Sequence, residues 1–491
     1  MRTDYIIKEG SRRDTGGLEL AEPENAVLLC SPHATKDPNQ RPPRIALLTP
    51  YTGGNLGDAA IQDGAILNLR SRLPDVEFSG ITLKCSNFLA KHGTSAFPLV
   101  GAGIPFFRME VEGASWEVNR PSGGTRQGIL RGMFRRIPGK RSLKRVRKFA
   151  ASSWKFAKEE VTHAFEGYRF LRAHDLLLIS GGGQLDEEYG GAWGLPYALF
   201  KWAFLAKLAG TPCAMASVGA GKIESPFSRK FIWAALRLCC YRSFREGHSR
   251  DIAAALYSGA MNDAVVPDLA FSLPLETIAS LRESGIRAMA GERAVIAVSP
   301  MAYAKPGDWP TPNRDLHDRY VEQMAELLPR LAKLGYFIVV VCSSRGDDES
   351  VIAGILERLN DEARRTLEGR VHYATAKTWK EFVSVVRGAD CLIASRLHGV
   401  ILGFISEVPA IAISVDPKID WVMEDLQQTD FLLHFRDFTA GDILDALKRM
   451  NRQRGGLIER IVSYRKSALC SHLYTSQYDS LVQLALKHCR I

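Results

Sequence analysis

The sequence has no long apolar run, and its cysteines form no recognisable pattern. None of its 491 residues lies in a stretch of about 18 uncharged apolar residues, so we expect no membrane-spanning helix. The N-terminal residues have no apolar core of the kind that a secretory signal needs. The nine cysteines lack a CxxC pair or a metal-ligand spacing, which argues against a zinc site or a disulfide framework. We therefore expect a cytoplasmic protein without a bound metal.

Charge is distributed unevenly in an otherwise ordinary globular composition of 46% hydrophobic and 24% charged residues. The formal net charge is +10, yet residues 120–158 alone carry 13 Lys or Arg and no Asp or Glu. The remaining chain therefore holds 51 basic against 54 acidic residues and is slightly acidic. The positive charge is a local feature, typical either of a solvated insertion or of a surface that meets an anionic partner.

Strand-like and helix-like segments alternate in two series. Residues 1–43 form a polar tail, and the first series spans 44–280 with the basic insertion 120–158 inside it. The second series spans 290–425, and 426–491 are predicted to be helical. Because parallel strands need crossover connections, the alternation predicts parallel sheets. We expect an α/β fold of two Rossmann-like domains that face a cleft, followed by C-terminal helices.

Glycine-rich turns follow two of the predicted buried strands, 44–51 and 175–180. The first turn contains Asn55, Gly57 and Asp58, and the second contains Gly182 and Gly183. Open α/β sheets bind ligands at the carboxyl ends of their strands, where glycine lets a ligand approach the backbone. Neither turn matches GxGxxG or a phosphate-binding loop. A tight strand-to-helix turn explains the first equally well. For the second, the alternative is a close approach of helix and strand, and a nearby ligand is the slightly better explanation.

Basic side chains occupy further strand ends. Arg396 and His398 lie two residues apart after an apolar strand, so both can project into the cleft. An arginine offers a planar fork to an anion, and a histidine transfers protons near neutral pH. Arg245 precedes a helix that we expect to start with Ser249 as its N-cap. Taken alone, Arg245 is explained by a surface ion pair and Lys418 by solvation.

Five motifs in sequence order resemble the polysaccharide pyruvyltransferase family. They are GGNLGDAAI, LLISGGG, FREGHSRD, VVPDLAF and SRLHGVILGFISEVPAIAISVDPKI, with a lysine twenty residues after the histidine. The resemblance covers about residues 45–425. It implies two domains arranged as in GT-B glycosyltransferases. It also implies transfer of a pyruvyl group from phosphoenolpyruvate to sugar hydroxyls of a polysaccharide or its lipid-linked precursor, with a cyclic ketal as product and no metal or nucleotide cofactor.

The resemblance also implies roles for the candidate residues. We expect His398 to act as general acid and base, and Asp58 to act as a base or to orient the acceptor. Here Asp58 precedes Ala59, whereas the family commonly has a second acidic residue at that position. The phosphoenolpyruvate-binding residues would be Arg245, Arg396 and Lys418, and the acceptor loops would contain Asn55, Gly57, Gly182 and Gly183.

Two other interpretations remain open. A nucleotide-sugar glycosyltransferase has the same architecture and would bind a sugar nucleotide instead. A nucleic-acid-binding protein would use the basic segment, but that segment has few aromatic residues and no recognisable module, so we expect no nucleic-acid partner. A non-catalytic family relative is disfavoured by the presence of Arg396, His398 and Lys418.

The basic segment gives a first prediction about where the protein works. If it contacts the anionic inner face of the cell membrane, each Lys or Arg near the surface contributes about 1 kcal/mol. Deleting residues 120–148 should then weaken binding to anionic vesicles in a flotation assay and leave activity on a soluble acceptor intact. Unchanged vesicle binding would mean that the segment is only a solvated surface.

Overall fold

The computed structural model describes most of the chain from residue 41 onward. The described residues are 41–50, 53–101, 158–188, 190–282, 284–307, 309, 311–344, 346–470 and 472–489. The predicted tail, except for its last three residues, and the basic insertion up to residue 157 lie outside them.

The first domain is built on a parallel sheet of seven strands in the order β3-β2-β1-β4-β5-β6-β7. Strands β1, β4 and β5 are apolar and buried along nearly their whole length, as expected for central strands covered on both faces. The strands are β1 Arg44–Leu48, β2 Glu77–Thr82, β3 Ala96–Pro98, β4 Leu176–Ser180, β5 Cys213–Val218, β6 Tyr241–Phe244 and β7 Ala264–Val265.

The second domain repeats this arrangement with six parallel strands in the order β10-β9-β8-β11-β12-β13. Relative to the chain this is the order 3-2-1-4-5-6 of dinucleotide-binding folds. Two parallel sheets confirm the predicted α/β class of two Rossmann-like domains. The strands are β8 Val295–Ser299, β9 Phe337–Val341, β10 Val371–Ala374, β11 Cys391–Ala394, β12 Ala410–Ser414 and β13 Leu432–His434.

Helices connect successive strands, and none in the described part of the chain is long and apolar enough to cross a membrane. They are α1 Leu56–Arg72, α2 Cys85–His92, α3 158–172, α4 Leu195–Ala209, α5 Pro226–Leu238, α6 Gly247–Leu256, α7 Leu275–Ala279, α8 Ile286–Ala290, α9 Arg314–Lys333, α10 Asp347–Arg358, α11 Asp361–Leu367, α12 Trp379–Arg387, α13 Leu397–Ile405, α14 Pro417–Asp425, α15 Ala440–Cys470 and α16 His472–His488.

The predicted start of α6 was wrong. The helix begins at Gly247 with Glu246 at its N-cap position, so Ser249 lies inside the first turn. Its buried hydroxyl donates to the Glu246 carboxylate and accepts the backbone N–H of Ala220 at 2.7 Å. Ser249 therefore ties the helix start to the loop after β5 rather than capping the helix.

The C-terminal segment 426–491 is not wholly helical, because β13 forms the edge of the second sheet. Three residues are too few to show a strand pattern in the sequence. The long helix α15 has a non-helical residue at Gln453 and continues into α16, which contacts α1, β4 and β6 of the first domain. There the Tyr474 hydroxyl donates to the Asp268 carbonyl at 2.8 Å, and Gln477 accepts the Ser243 hydroxyl. The last helix thus belongs to the packing of the first domain.

Candidate active site

The carboxyl ends of both sheets meet at one place. Strand order reverses between β1 and β4 in the first sheet and between β8 and β11 in the second, and such reversal points open a crevice for ligands. Asn55 after β1 pairs with Ser344 after β9, and the N–H of Leu56 donates to the Ser343 carbonyl at 3.1 Å. The two crevices are therefore joined by backbone contact.

Asn55 caps the helix that carries Gly57 and Asp58. Its Oδ1 accepts the backbone N–H groups of Gly57 at 2.9 Å and of Asp58 at 3.4 Å. Asparagine is among the best N-cap residues because it satisfies these otherwise unpaired donors. Its side chain thus fixes the start of α1, and its oxygen is occupied by these two N–H groups.

His398 lies directly against Gly57. A Cβ built on Gly57 would lie 2.0 Å from His398 Cγ, far inside van der Waals contact. Glycine at this position is therefore required by the second domain, not by the local turn. This contact places the imidazole from α13 on the first turn of α1, so the position of His398 in the second domain depends on the backbone of the first.

Asp268 links His398 to Arg245. Asp268 Oδ2 lies 3.8 Å from His398 Nε2 and 3.6 Å from Arg245 Nη1, while Oδ1 accepts the Ala270 N–H at 3.0 Å. Burial raises the pKa of Asp268, but His398, Arg245 and the Ala270 N–H together outweigh burial and leave this pKa below its usual range. An ionised Asp268 therefore places negative charge beside the His398 ring. The sequence placed Asp268 in a motif without assigning it a role.

Arg245 is buried within the first domain rather than at its surface. Its Nε donates to Glu246 at 2.6 Å, and a Cβ on Gly219 would meet its guanidinium at 2.5 Å. Burial lowers the pKa of Arg245, but the charges of Glu246 and Asp268 more than offset this and raise the pKa above its ordinary value. The side chain therefore stays charged. The expected pair with Glu246 exists, but only 2% of the Arg245 side chain is exposed.

Arg396 is held by an acid that the sequence did not reveal. Its Nε and Nη2 donate to the two carboxylate oxygens of Asp348 at 2.7 and 2.8 Å. The Asp348 side chain is fully buried and also accepts the Ala302 N–H at 3.0 Å. This bidentate pair fixes the guanidinium at the start of α13. No sequence pattern connects two residues 48 positions apart.

The side chain of Lys418, in the second domain, makes an ion pair with the first domain. Its Nζ donates to Asp186 of the first domain at 2.9 Å and lies 3.5 Å from Asp416. The interpretation of Lys418 as a solvated lysine is wrong, because only 11% of its side chain is exposed. Burial lowers the pKa of Lys418, but Asp186 and Asp416 more than compensate and raise it. A Cβ on Gly183 would lie 3.5 Å from its Nζ, which puts that glycine beside the ammonium.

Asp58 completes the group of predicted residues. Burial raises the pKa of Asp58, nearby Asp268 raises it further, and His398, Arg396 and Arg245 act in the opposite direction without cancelling the shift. A Cβ on Gly182 would lie 4.0 Å from Asp58 Oδ1. All the charged candidates therefore lie around one crevice, with the second glycine loop next to Asp58.

Several buried polar atoms in this crevice have no hydrogen-bond partner among the described residues. The hydroxyls of Ser299 and Ser343 lie 3.7 and 3.4 Å from the position of a Cβ on Gly399, in the first turn of α13. Buried polar groups are nearly always paired, so unpaired groups indicate where a polar ligand binds. The unpaired atoms are Arg245 Nη2, Asp268 Oδ2, His398 Nε2, Ser299 Oγ and Ser343 Oγ. Sequence reasoning missed both serines.

Fold and site together define a class. Two parallel sheets, with a histidine, two arginines and a lysine after the carboxyl ends of their strands, form a GT-B-like α/β architecture. The sequence model of the polysaccharide pyruvyl transferase family matches residues 55–417, and the chain belongs to this family. The match includes every residue proposed for the site except Lys418, which follows it directly.

Solved structures share the fold at very low identity. A glycosyltransferase from Rickettsia africae is 9% identical with a TM-score of 0.52, covering 91% of this chain and 98% of its own. UDP-GlcNAc 2-epimerase from Neisseria meningitidis, solved with UDP-GlcNAc, is 11% identical with a TM-score of 0.50, covering 90% and 99%. No curated protein matches the chain in sequence. These similarities confirm the GT-B-like architecture alone.

Gly57 gives a direct test of the contact between the domains. We expect Gly57→Ala to lower the rate of pyruvyl transfer about a hundredfold, because the added methyl displaces the His398 ring and misplacement of about 1 Å can have that effect. The matched control is Gly455→Ala, since a Cβ at Gly455 meets nothing within 4 Å. Equal activity of the two variants would contradict the role of the contact. Thermal unfolding of both proteins checks that they remain folded.

Proposed function

We propose that the protein transfers a pyruvyl group from phosphoenolpyruvate to two hydroxyls of one sugar and forms a cyclic ketal. The acceptor is a polysaccharide or its lipid-linked precursor, in exopolysaccharide biosynthesis. The cluster of unpaired buried polar atoms around His398 carries this proposal, because a small, highly polar donor matches it. Since phosphoenolpyruvate is a cytoplasmic metabolite, the proposed setting is the cytoplasm.

The donor would bind through hydrogen-bond donors rather than through unneutralised cations. Each of the three basic side chains already has an acidic partner: Arg245 with Glu246, Arg396 with Asp348 and Lys418 with Asp186. What remains for a carboxylate and a phosphate are Arg245 Nη2, the two serine hydroxyls and the N-terminal N–H groups of α13. Helix N-termini favour anions through these N–H groups and the helix dipole. We therefore assign anion recognition to this combined set.

The reaction needs three proton transfers and no change of oxidation state. As the first sugar hydroxyl attacks C2 of the donor, His398 delivers a proton to the C3 methylene and Asp58 takes the hydroxyl proton. The second hydroxyl then replaces phosphate at C2, and its proton leaves with the phosphate. The raised pKa of Asp58 makes this carboxylate a better base than an ordinary one. Asp268, with Oδ2 3.8 Å from His398 Nε2, would help to hold the imidazole in position.

The decisive test is product analysis. The full-length protein is mixed with phosphoenolpyruvate and candidate acceptor glycans, phosphate release is assayed, and the product is analysed for the mass of one pyruvyl ketal. We also expect phosphoenolpyruvate to raise the unfolding temperature, because ligands that bind the native state stabilise it. Protection by UDP-sugars instead, without phosphate release from phosphoenolpyruvate, would favour the glycosyltransferase and overturn the proposal.

A variant at His398 tests the chemistry separately from binding. We expect His398→Gln to lower turnover roughly 10²–10⁴-fold, the usual contribution of a positioned proton-transfer group. The shift of the unfolding temperature by phosphoenolpyruvate should persist, since glutamine keeps a polar group against Gly57. Wild-type turnover in this variant would show that another residue transfers the proton.

A further inference from the structure

The first domain carries a continuous exposed set of aromatic rings outside the active site. Neighbouring ring centroids lie 5.4 to 6.4 Å apart from the turn before α4, along α4 and across to α5. We name this set the aromatic face. Its members are Trp193, Tyr197, Phe200, Phe204, Phe227 and Phe231.

The aromatic face is substantially open to solvent. Trp193 is 52% exposed, Phe204 44% and Phe227 59%, and Leu208 on the same side of α4 is 57% exposed. The spacing of four residues from Phe200 through Phe204 to Leu208 aligns these side chains along one side of the helix. Single exposed apolar residues are ordinary, but a contiguous set of this kind indicates an interaction surface.

The charged residues on the two helices of the aromatic face have one sign. Helices α4 and α5 contain no Asp or Glu, and their exposed charged residues are Lys207, Arg229, Lys230 and Arg237. The other lysine of α4, Lys201, is buried and paired with Glu160 of α3. In the sequence, α3 directly follows the basic segment that begins at residue 120. The two helices of the face therefore carry only cations, while the acidic residues Glu187 and Glu224 lie beside the start of α5.

We propose that the aromatic face docks the protein on an anionic phospholipid bilayer. Aromatic and aliphatic side chains on one helix face, flanked by lysine and arginine, are the pattern of segments that lie in the membrane interface. Tyrosine and tryptophan favour the headgroup level, and the cations are attracted to anionic lipids. Val161 and Phe165 on α3 are also exposed, at 69% and 60%.

Charge disfavours two other occupants of the face. A two-fold contact between copies would bring the same cations of both protomers together, and the basic segment 120–157 is itself cationic. Neither would find negative charge on α4 or α5. An anionic bilayer supplies that charge along with apolar depth for the rings.

Docking through the aromatic face suits a lipid-linked acceptor, and this part of the inference rests on the proposed function. Vesicle binding itself does not depend on that function. Trp193 follows the acidic loop of the active site by only a few residues: Asp186 pairs with Lys418, and the Asp186 carboxylate accepts the Glu188 N–H at 2.5 Å. Docking through the face would hold the crevice near the headgroups. The sugar of a lipid-linked acceptor could then reach the site while its lipid anchor stays in the bilayer.

The test is flotation of the full-length protein with vesicles of phosphatidylcholine, alone or with about one third phosphatidylglycerol. The variant carries Trp193→Ser, Phe204→Ser and Phe227→Ser, and the matched control carries Met289→Ser, Leu334→Ser and Tyr373→Ser at exposed positions elsewhere. We expect the face variant to bind anionic vesicles at least about tenfold more weakly and the control to bind as the wild type does. Replacing Arg229, Lys230 or Arg237 by Gln should weaken anionic binding about fivefold each.

Three results would overturn the docking proposal. First, the face variant could bind anionic vesicles as tightly as the wild type does. Second, the control variant could lose as much vesicle binding as the face variant. Third, the face substitutions could convert a dimer to a monomer on a sizing column without changing vesicle binding. Thermal unfolding checks that the variants fold. Pyruvyl transfer to a soluble acceptor should be unchanged in the face variant. If the wild type itself transfers no pyruvyl group from phosphoenolpyruvate, the proposed function fails while the flotation result still decides the docking.

Discussion

The packing of His398 on the first turn of α1 is the contact on which the site depends. Gly57 leaves room for the imidazole, and Asn55 holds the turn in place through two backbone N–H groups. Because the ring and the glycine belong to different domains, neither domain forms the site alone. The pair of Lys418 and Asp186 and the backbone contact of Leu56 with Ser343 fix the same arrangement at two further points. The geometry of the candidate site is thus a property of the interface between the domains.

The basic side chains of the site are not unpaired cations that could bind an anion directly. A buried charge without a partner is costly, so each arginine and the lysine comes with a carboxylate. The pairs at Arg245, Arg396 and Lys418 set orientation, while the unpaired hydroxyls and N–H groups offer recognition. In a crevice of low polarity such fixed donors bind a ligand without first reorganising. This arrangement separates the residues that position from those that bind.

The sequence was informative where function and fold share a pattern. Buried parallel strands appear as apolar runs, and the residues after them lie at the ligand-binding edge, so Asp58, Arg396 and His398 could be found without a structure. The acidic partners of Arg396 and Lys418 could not be predicted in this way. Asp348 and Asp186 follow no periodic signal, and their pairs span 48 and 232 residues, which only the tertiary fold brings together. The cap expected at Ser249 failed for a related reason, because its hydroxyl serves a contact with the loop after β5.

The return of the chain through α15 and α16 gives the molecule a second connection between its domains. The first connection lies between β7 and β8, and the second passes the non-helical residue Gln453 before α16 contacts α1, β4 and β6. Two linked bodies joined at one point can tilt and twist freely. Joined at two points, they keep one easy rotation, about the line through both links. The second connection therefore restricts relative rotation of the domains more than one connection would, and so helps to hold His398 against Gly57.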